Sequence, residues 1–232
     1  MQPACTRLFL PGFGGRASTY APGLPPGWEA VQPPSPRRCG GSLDGAADWL
    51  EGELARRPGP ALLGGHSMGA ALAVRVAARR PEAVSGLVLV APAGLPLTKP
   101  VHHSVADLVA NLAQGRHRLG DALASAVALA ADPLATRRLV RELRGLDLRA
   151  EMDEVRARRI PVTVVSCASD TLTPPALGRV AAHRLGARHL ELTLDGGHVW
   201  MFGRWSALAG ILASASGAGV ADLAGWGRLS RP

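Results

Sequence analysis

The sequence has few cysteines, almost no lysine and few aromatic residues, and each shortage argues against a class of protein. Three cysteines in 232 residues are too few for a dense disulfide framework, and without CxxC spacing they do not indicate zinc or thioredoxin-like chemistry. Lys99 is the only lysine among 26 basic residues, and aromatic residues make up 4% of the chain. The net charge of +8 would suit nucleic acid, but the arginines are scattered and few rings can stack on bases. We therefore expect a reduced protein that binds no nucleic acid.

Long apolar runs are also missing. The uncharged stretch near the end, Trp205 to Val220, is rich in alanine, glycine and serine, and it is shorter than the ~20 apolar residues that a membrane span needs. Residues 1–11 run directly into a strand-like segment and show no signal-peptide pattern. A hydrophobic content of 47% still supports one sizeable core. We expect a cytoplasmic protein with no membrane partner.

Short apolar runs alternate with longer helix-like segments, which is typical of a parallel sheet covered by helices on both faces. The predicted strands are 7–10, 29–32, 61–63, 87–90, 162–166 and 189–194. The predicted helices are 43–57, 68–80, 148–158 and 175–185. This pattern predicts an α/β fold with a mostly parallel sheet of about six strands flanked by helices.

The alternation stops once, and only helical pieces follow: 104–114, 119–131 and 134–143, the last introduced by Pro133. A helical insertion between two parallel strands would lie over the edge of the sheet where ligands bind. We therefore expect an α/β core formed by residues 1–94 and 147–214, with a helical lid over 95–146. The glycine- and alanine-rich segment 215–232 is predicted to be a poorly ordered C-terminal tail.

The strongest motif is Gly65-His66-Ser67-Met68-Gly69, which lies between a predicted strand and a predicted helix. This context is typical of a nucleophile elbow, in which a strained turn presents a serine. Gly65 and Gly69 lack the Cβ atoms that would keep strand and helix apart. The alternative is a glycine-rich turn whose serine caps the helix. We interpret Ser67 as a catalytic nucleophile.

A serine nucleophile needs a base, and in this context the acid and the histidine follow it along the chain. Asp170 comes at the end of the predicted strand 162–166, and His198 follows the strand 189–194. Asp195 is the alternative acid, although its position three residues before His198 is more typical of a turn. The remaining histidines that we considered lie in a predicted helix, at the start of a strand or in the lid: His183, His189, His102, His103 and His117. The predicted catalytic set is Ser67, Asp170 and His198.

Stabilising an oxyanion needs two hydrogen-bond donors. One is expected from the backbone N–H of Met68, directly after the serine, and the other from the loop after the first strand, where we choose Phe13.

The same loop allows a rival interpretation. Residues 12–17 fit G-x-G-x-x-A, the dinucleotide fingerprint, and Arg37 and Arg38 lie where a 2′-phosphate contact would be sought. The acidic residue expected about 20 positions later is missing, and prolines interrupt the unit that the fingerprint requires. A nicotinamide-dependent oxidoreductase is therefore a weaker hypothesis.

Together these segments resemble the α/β-hydrolase superfamily. The resemblance covers PGFGG at 11–15, GHSMG at 65–69, SDTLTPP at 169–175 and GGHVW at 196–200. It implies a cofactor-free, metal-free enzyme with a lid over an acyl pocket, closest in layout to small esterases and pyruvate-eliminating lyases. Two departures stand out: Pro11 replaces the histidine that many relatives carry before the oxyanion-loop glycine, and the chain lacks room for the first two strands of the family sheet.

The resemblance implies hydrolysis of a carboxylic ester or thioester through an acyl-enzyme. A lyase or C–C hydrolase acting on a keto- or dienyl-carboxylate remains an alternative, as does a ligand-binding or signalling protein that retains the triad. Leucines of the predicted lid are consistent with an apolar acyl slot, although lid–core packing explains them equally: Leu95, Leu97, Leu108, Leu112, Leu123 and Leu129. The basic cluster at 116–118 suits a carboxylate or a carrier phosphate, or else a solvated loop. The expected partner is a small acyl substrate, either free or carrier-linked.

Overall fold

The computed structural model describes residues 6–97, 126–127, 129–217 and 227–230. Within these residues, one sheet contains strands in the order β2-β1-β3-β4-β5-β6-β7. The strands are β1 (Arg7–Leu10), β2 (Glu29–Ala30), β3 (Ala61–His66), β4 (Val84–Val90), β5 (Val162–Cys167), β6 (Arg188–Leu192) and β7 (Gly227–Ser230). The first six strands pair in parallel, which confirms the predicted sheet.

The seventh strand differs from the sequence prediction. Gly227–Ser230 pairs antiparallel with β6, with Leu229 opposite Leu190. We expected residues 215–232 to form a poorly ordered C-terminal tail, whereas Gly227–Ser230 forms a strand of the sheet. The physical reason is that the outer edge of β6 offers unpaired backbone groups, which even a short segment of low β-propensity can pair with.

Helices cover both faces of the sheet. They are α1 (Ala17–Tyr20), α2 (Leu43–Ala55), α3 (Met68–Arg79), α4 (Pro133–Gly145), α5 (Arg149–Ala157), α6 (Pro175–Leu185) and α7 (Trp205–Ala215). Short 3₁₀ segments occur at Ala21–Gly23, Pro81–Ala83 and Gly197–Gly203. None of the helices in the described part of the chain is long and apolar enough to cross a membrane.

Alternation along β1 shows how the sheet separates two apolar layers. Leu8 and Leu10 belong to one buried cluster, which α2, α3, α5 and α6 complete. Phe9 belongs to a second cluster, which includes Trp200 and the buried residues of α7. Side chains of a strand alternate between the two faces of the sheet, so a strand covered on both faces is apolar at every position. Residues 8–10 of β1 follow this rule.

Residues 98–125 and 128 of the predicted lid lie outside the described residues, and with them the predicted helix 104–114 and part of the predicted helix 119–131. The helix predicted at 134–143 is α4, and Pro133 is its first residue, as expected. The Asp132 side chain accepts a hydrogen bond from the Ala135 N–H (2.9 Å) and caps the helix. Leu139 is buried, and a Glu142 carboxylate oxygen accepts from the Leu43 N–H (3.0 Å), so α4 is attached to α2.

Candidate active site

Ser67 lies at the sharp turn between β3 and α3. Its backbone has φ 53° and ψ −115°, a combination that L-residues rarely adopt and that costs on the order of 1–3 kcal/mol. The turn is fixed from the neighbouring strand, because the Ser67 N–H donates to the carbonyl of Val90 (2.9 Å). The Ser67 carbonyl accepts from the N–H groups of Ala70 (3.0 Å) and Ala71 (3.1 Å), which begin α3. The serine is therefore held in the strained geometry that the motif predicts.

The two glycines of the motif are required by close packing around this turn. A Cβ atom on Gly65 would come within 2.6 Å of the Ala70 backbone nitrogen. A Cβ atom on Gly69 would come within 2.7 Å of the Pro11 carbonyl oxygen. Both distances are shorter than real Cβ contacts, so strand and helix can approach only because side chains are absent here.

The buried side chains of Asp170 and His198 are in direct contact. An Asp170 carboxylate oxygen, Oδ2, lies 2.9 Å from Nδ1 of the His198 ring. Asp170 follows β5 and His198 follows β6, so both lie beyond the carboxyl ends of parallel strands, as predicted. Asp195, the alternative acid, is exposed. His189 is buried and its ring pairs with the hydroxyl of Ser166 (3.1 Å) instead.

Backbone and hydroxyl groups bind the rest of the Asp170 carboxylate. Its Oδ1 accepts from the N–H groups of Leu172 (2.8 Å) and Thr173 (2.9 Å), and its Oδ2 accepts from the Thr173 hydroxyl (2.8 Å). Burial alone would raise the pKa of Asp170, but the nearby His198 and these hydrogen bonds hold its pKa below the ordinary value. The carboxylate therefore stays ionised and can orient the imidazole.

Ser67 and the Asp170–His198 pair share the carboxyl edge of the sheet, and two connections join them. The Thr173 hydroxyl, which donates its one proton to Asp170, lies 3.3 Å from the carbonyl oxygen of Ala91, next to the Val90 carbonyl that binds Ser67. His66, which precedes Ser67, places its ring 4.8 Å from the His198 ring between centroids. Ser67 and the Asp170–His198 pair therefore lie at the same edge of the sheet and are linked through Thr173, Ala91 and His66.

His66 and Thr173 belong to this network although sequence analysis assigned neither of them a role. The His66 Nε2 lies 2.9 Å from the backbone oxygen of His198, and its Nδ1 lies 2.8 Å from the Tyr20 hydroxyl. Burial and the nearby His198 lower the pKa of His66 to about 3. Burial likewise raises the pKa of Tyr20. The only sequence signal for His66 is its place in the elbow motif, since its partner His198 is 132 positions away.

The loop after β1 lies close to the serine. The Gly15 N–H donates to the Gly12 carbonyl (2.8 Å), closing a turn with Phe13 as its second residue. A Cβ on Gly12 would lie 3.3 Å from the Cβ of Ser67, so the loop passes directly beside the nucleophile. Gln32 braces the loop, because its side-chain oxygen accepts from the Ala17 N–H (2.8 Å).

This geometry does not favour the dinucleotide interpretation. The fingerprint places the pyrophosphate at the N-terminus of a long helix, whereas α1 covers only Ala17–Tyr20. Among the described residues, no group of three or more histidine, cysteine or acidic side chains could hold a metal ion.

A cleft of about 170 Å³ opens next to the loop. Phe13 and Met68, the two expected oxyanion donors, both line it. Its other walls come from residues 33–36 and from Leu129 and Leu139, which belong to the C-terminal part of the predicted lid. The lining is mainly apolar, with Arg16 and Gln32 at one side.

A strained serine between a buried strand and a helix is typical of a nucleophile elbow. A buried Asp–His pair follows the carboxyl ends of two later strands of the same parallel sheet. The chain belongs to the alpha/beta hydrolase family, whose model matches residues 8–211. No curated protein sequence matches it.

Solved structures share the fold at low sequence identity. BpoC of Mycobacterium tuberculosis H37Rv, described as a non-heme bromoperoxidase, is 23% identical, with a TM-score of 0.69 over 93% of each chain. A hydrolase from Oleispira antarctica is 15% identical, with a TM-score of 0.71 over 91% of this chain and 90% of that one. A lipase-esterase related protein from Clostridium acetobutylicum is 15% identical, with a TM-score of 0.71 over 92% and 95%. These proteins carry differing descriptions, so the likeness defines the fold and leaves the reaction to the site.

Proposed function

We propose that this protein is a serine hydrolase that cleaves a carboxylic ester or thioester through an acyl-enzyme on Ser67. The observation that carries the proposal is the buried contact between Asp170 and His198 (2.9 Å) at the edge where the elbow presents Ser67. A serine hydroxyl is a weak nucleophile at its free pKa, and an imidazole held by an ionised carboxylate is the base that activates it.

The reaction follows from these positions. His198 accepts the proton of the Ser67 hydroxyl through Nε2 as Oγ attacks the acyl carbon, while Asp170 binds the opposite ring nitrogen and stabilises the imidazolium. The tetrahedral intermediate expels an alcohol or thiol, which takes the proton back from His198. Water then attacks the acyl-enzyme and gives a proton to His198. The second tetrahedral intermediate releases the carboxylic acid as His198 passes that proton to the departing Ser67 Oγ, which restores the free serine and the neutral base.

The cleft supports roles for Phe13 and Met68 in this reaction. Met68 is the first residue of α3, so its N–H is among those that a helix leaves unbonded at its start. Phe13 is the second residue of the turn closed by Gly15 and Gly12, and that hydrogen bond does not use its N–H. In our proposal these two N–H groups bind the oxyanion, and the apolar wall formed by Met68 and Leu139 receives the acyl chain.

Covalent labelling tests the nucleophile. A fluorophosphonate should modify the folded protein once, and peptide mapping should place the adduct on Ser67. The Ser67→Ala variant should not be labelled, and its turnover should fall by a factor on the order of a million if the triad acts as a unit. Folded wild-type protein that resists labelling would contradict the proposal.

A series of substrates then distinguishes the reaction classes. Nitrophenyl esters of increasing acyl length, and matched thioesters, should be hydrolysed at different rates. The acyl length that is hydrolysed fastest indicates the depth of the cleft. Poor turnover of every ester, combined with cleavage of a keto- or dienyl-carboxylate, would support the lyase or C–C hydrolase alternative. Tight binding without turnover would support a ligand-binding protein.

A further inference from the structure

A buried chain of hydrogen bonds connects the loop after β1 with the loop that carries His198. It begins at Tyr20, the last residue of α1, the short helix that directly follows this loop. The Tyr20 hydroxyl lies 2.8 Å from His66 Nδ1, and His66 Nε2 lies 2.9 Å from the backbone oxygen of His198. Both Tyr20 and His66 are buried, at 1% and 3% exposure, so water does not compete for these bonds.

Chemistry fixes the direction of every bond in this chain. A carbonyl oxygen can only accept a hydrogen bond, so His66 Nε2 carries the proton and its N–H donates to the backbone carbonyl of His198. Burial keeps the His66 ring neutral, so its Nδ1 is an acceptor, and the Tyr20 hydroxyl must donate to it.

We propose that Tyr20 and His66 are positioning residues that set the placement of His198 relative to the oxyanion loop, so that the base and the Phe13 N–H face Ser67 together. This inference rests on the proposed function, because it assigns these two side chains a task in the same reaction. Each link joins segments far apart in the sequence: 46 positions separate Tyr20 from His66, and 132 separate His66 from His198.

Packing supports this role. The Tyr20 ring is held by Phe9 and by Phe202, with centroids 5.3 and 5.2 Å away, so its hydroxyl has a defined direction. Gly12 leaves the space that the chain needs, because a Cβ there would lie 2.7 Å from His66 Nδ1. Since Phe202 belongs to the same segment as His198, Gly197–Gly203, Tyr20 contacts that segment as well as bonding through His66.

Three variants separate the links of the chain. In His66→Gln, the amide nitrogen reaches the place of Nε2 and keeps the donor to His198. In His66→Asn, the shorter amide reaches only the place of Nδ1, so the bond to His198 is lost. Tyr20→Phe removes the hydroxyl and keeps the ring packing. His189→Asn is the matched control, because it removes a different buried histidine hydrogen bond, the one to Ser166.

The measurement is kcat for ester hydrolysis per Ser67 labelled with fluorophosphonate, which counts only correctly folded enzyme. We expect His66→Asn to lower kcat about 10- to 100-fold with little change in KM, because misplacing a reacting group costs rate more than binding. Tyr20→Phe should also lower kcat, by a smaller factor. His66→Gln and His189→Asn should stay close to wild type. If all four variants match wild type per labelled site, Tyr20 and His66 only pack and the inference is wrong.

Proton NMR gives a readout that does not depend on hydrolysis. The Nδ1–H of His198, bonded to Asp170, should give a downfield resonance that is kept in His66→Gln and broadened by exchange in His66→Asn. If the wild-type protein is neither labelled nor active, the proposed function is wrong. The resonance then still shows whether His66 holds His198 in place, because it does not depend on hydrolysis. An unchanged His198 resonance in every variant would contradict the positioning role of Tyr20 and His66, whether or not the protein is a hydrolase.

Discussion

At the scale of single residues, the carboxylate of Asp170 is distinguished by its partners. It is buried and accepts bonds from two backbone N–H groups and a hydroxyl besides the His198 ring. Asp195, only three residues before His198 in the same loop, is exposed to solvent. The two candidate acids therefore have very different environments, and this allows a matched test.

Asp170→Asn should lower kcat by a factor on the order of 10⁴, because an amide at this position favours the wrong tautomer of the histidine. Asp195→Asn should leave kcat within about twofold of wild type, since an exposed carboxylate contributes little to a buried base. Steady-state hydrolysis of one nitrophenyl ester measures both. Equal losses in the two variants would mean that the acid has been misassigned.

His66 makes stability depend on pH. Its folded-state pKa of about 3 lies below the ordinary 6.5, so between these values the unfolded chain binds a proton that the folded chain does not. The stabilisation from a neutral His66 is complete above pH 6.5 and is lost as the pH falls towards 3, at about 1.4 kcal/mol per pH unit at most. Urea unfolding of wild type and His66→Gln between about pH 4 and 7 should show a flatter acid limb in the variant. Parallel curves would contradict this assignment.

At the scale of elements, the contact of α3 with β1 and β3 depends on glycine. Gly69→Ala would bring a Cβ within 2.7 Å of the Pro11 carbonyl oxygen, and backbone cannot move aside as a flexible side chain can. We expect a loss of about 1–3 kcal/mol in the free energy of unfolding. Gly52→Ala, inside α2 and with its nearest neighbour 3.7 Å away, should be neutral or stabilise by about 0.5–1 kcal/mol. Denaturant titration tests both, and a tolerated Gly69→Ala would show that the elbow can relax.

The same scale shows why most elements could be predicted and one could not. The helix 175–185 is observed with the predicted bounds, because Pro175 starts it and Gly186, at φ 61°, ends it. Local residues therefore determine its ends. The strand β7 depends on the free edge of β6, a tertiary feature that Gly227–Ser230 does not encode. The site divides in the same way, since motif and chain order predict Ser67 and His198, whereas the role of His66 exists only once the chain is folded.

At the scale of the whole molecule, ion pairs join the helices on one side of the sheet, and Arg75 of α3 is their centre. Its guanidinium lies 2.9 Å from Asp44 of α2, 3.3 Å from Glu151 of α5 and 3.6 Å from Glu142 of α4. The Arg75 side chain is only 13% exposed, so these pairs are screened less than pairs at the surface. One side chain thus connects the core helices with the end of the predicted lid.

This connection predicts that substituting Arg75 lowers the stability of the protein more than substituting an exposed arginine does. Arg75→Met keeps the aliphatic stem but removes the cation from Glu142 and Glu151, while Asp44 still pairs with Arg79. The free energy of unfolding should therefore fall by about 1–2 kcal/mol. Arg158→Met is the control, because Arg158 is 58% exposed and pairs with Glu154 of its own chain segment (2.7 Å). That variant should lose about 0.5 kcal/mol or less. Urea unfolding at low and high salt measures the free energy of unfolding of both variants.

The same substitution should also affect substrate binding, because α4 lines the cleft through Leu139. We expect the Arg75 variant to change KM for esters with long acyl chains more than KM for acetate esters. An Arg75 variant as stable as Arg158→Met, with unchanged KM, would show that apolar packing alone holds α4 in place.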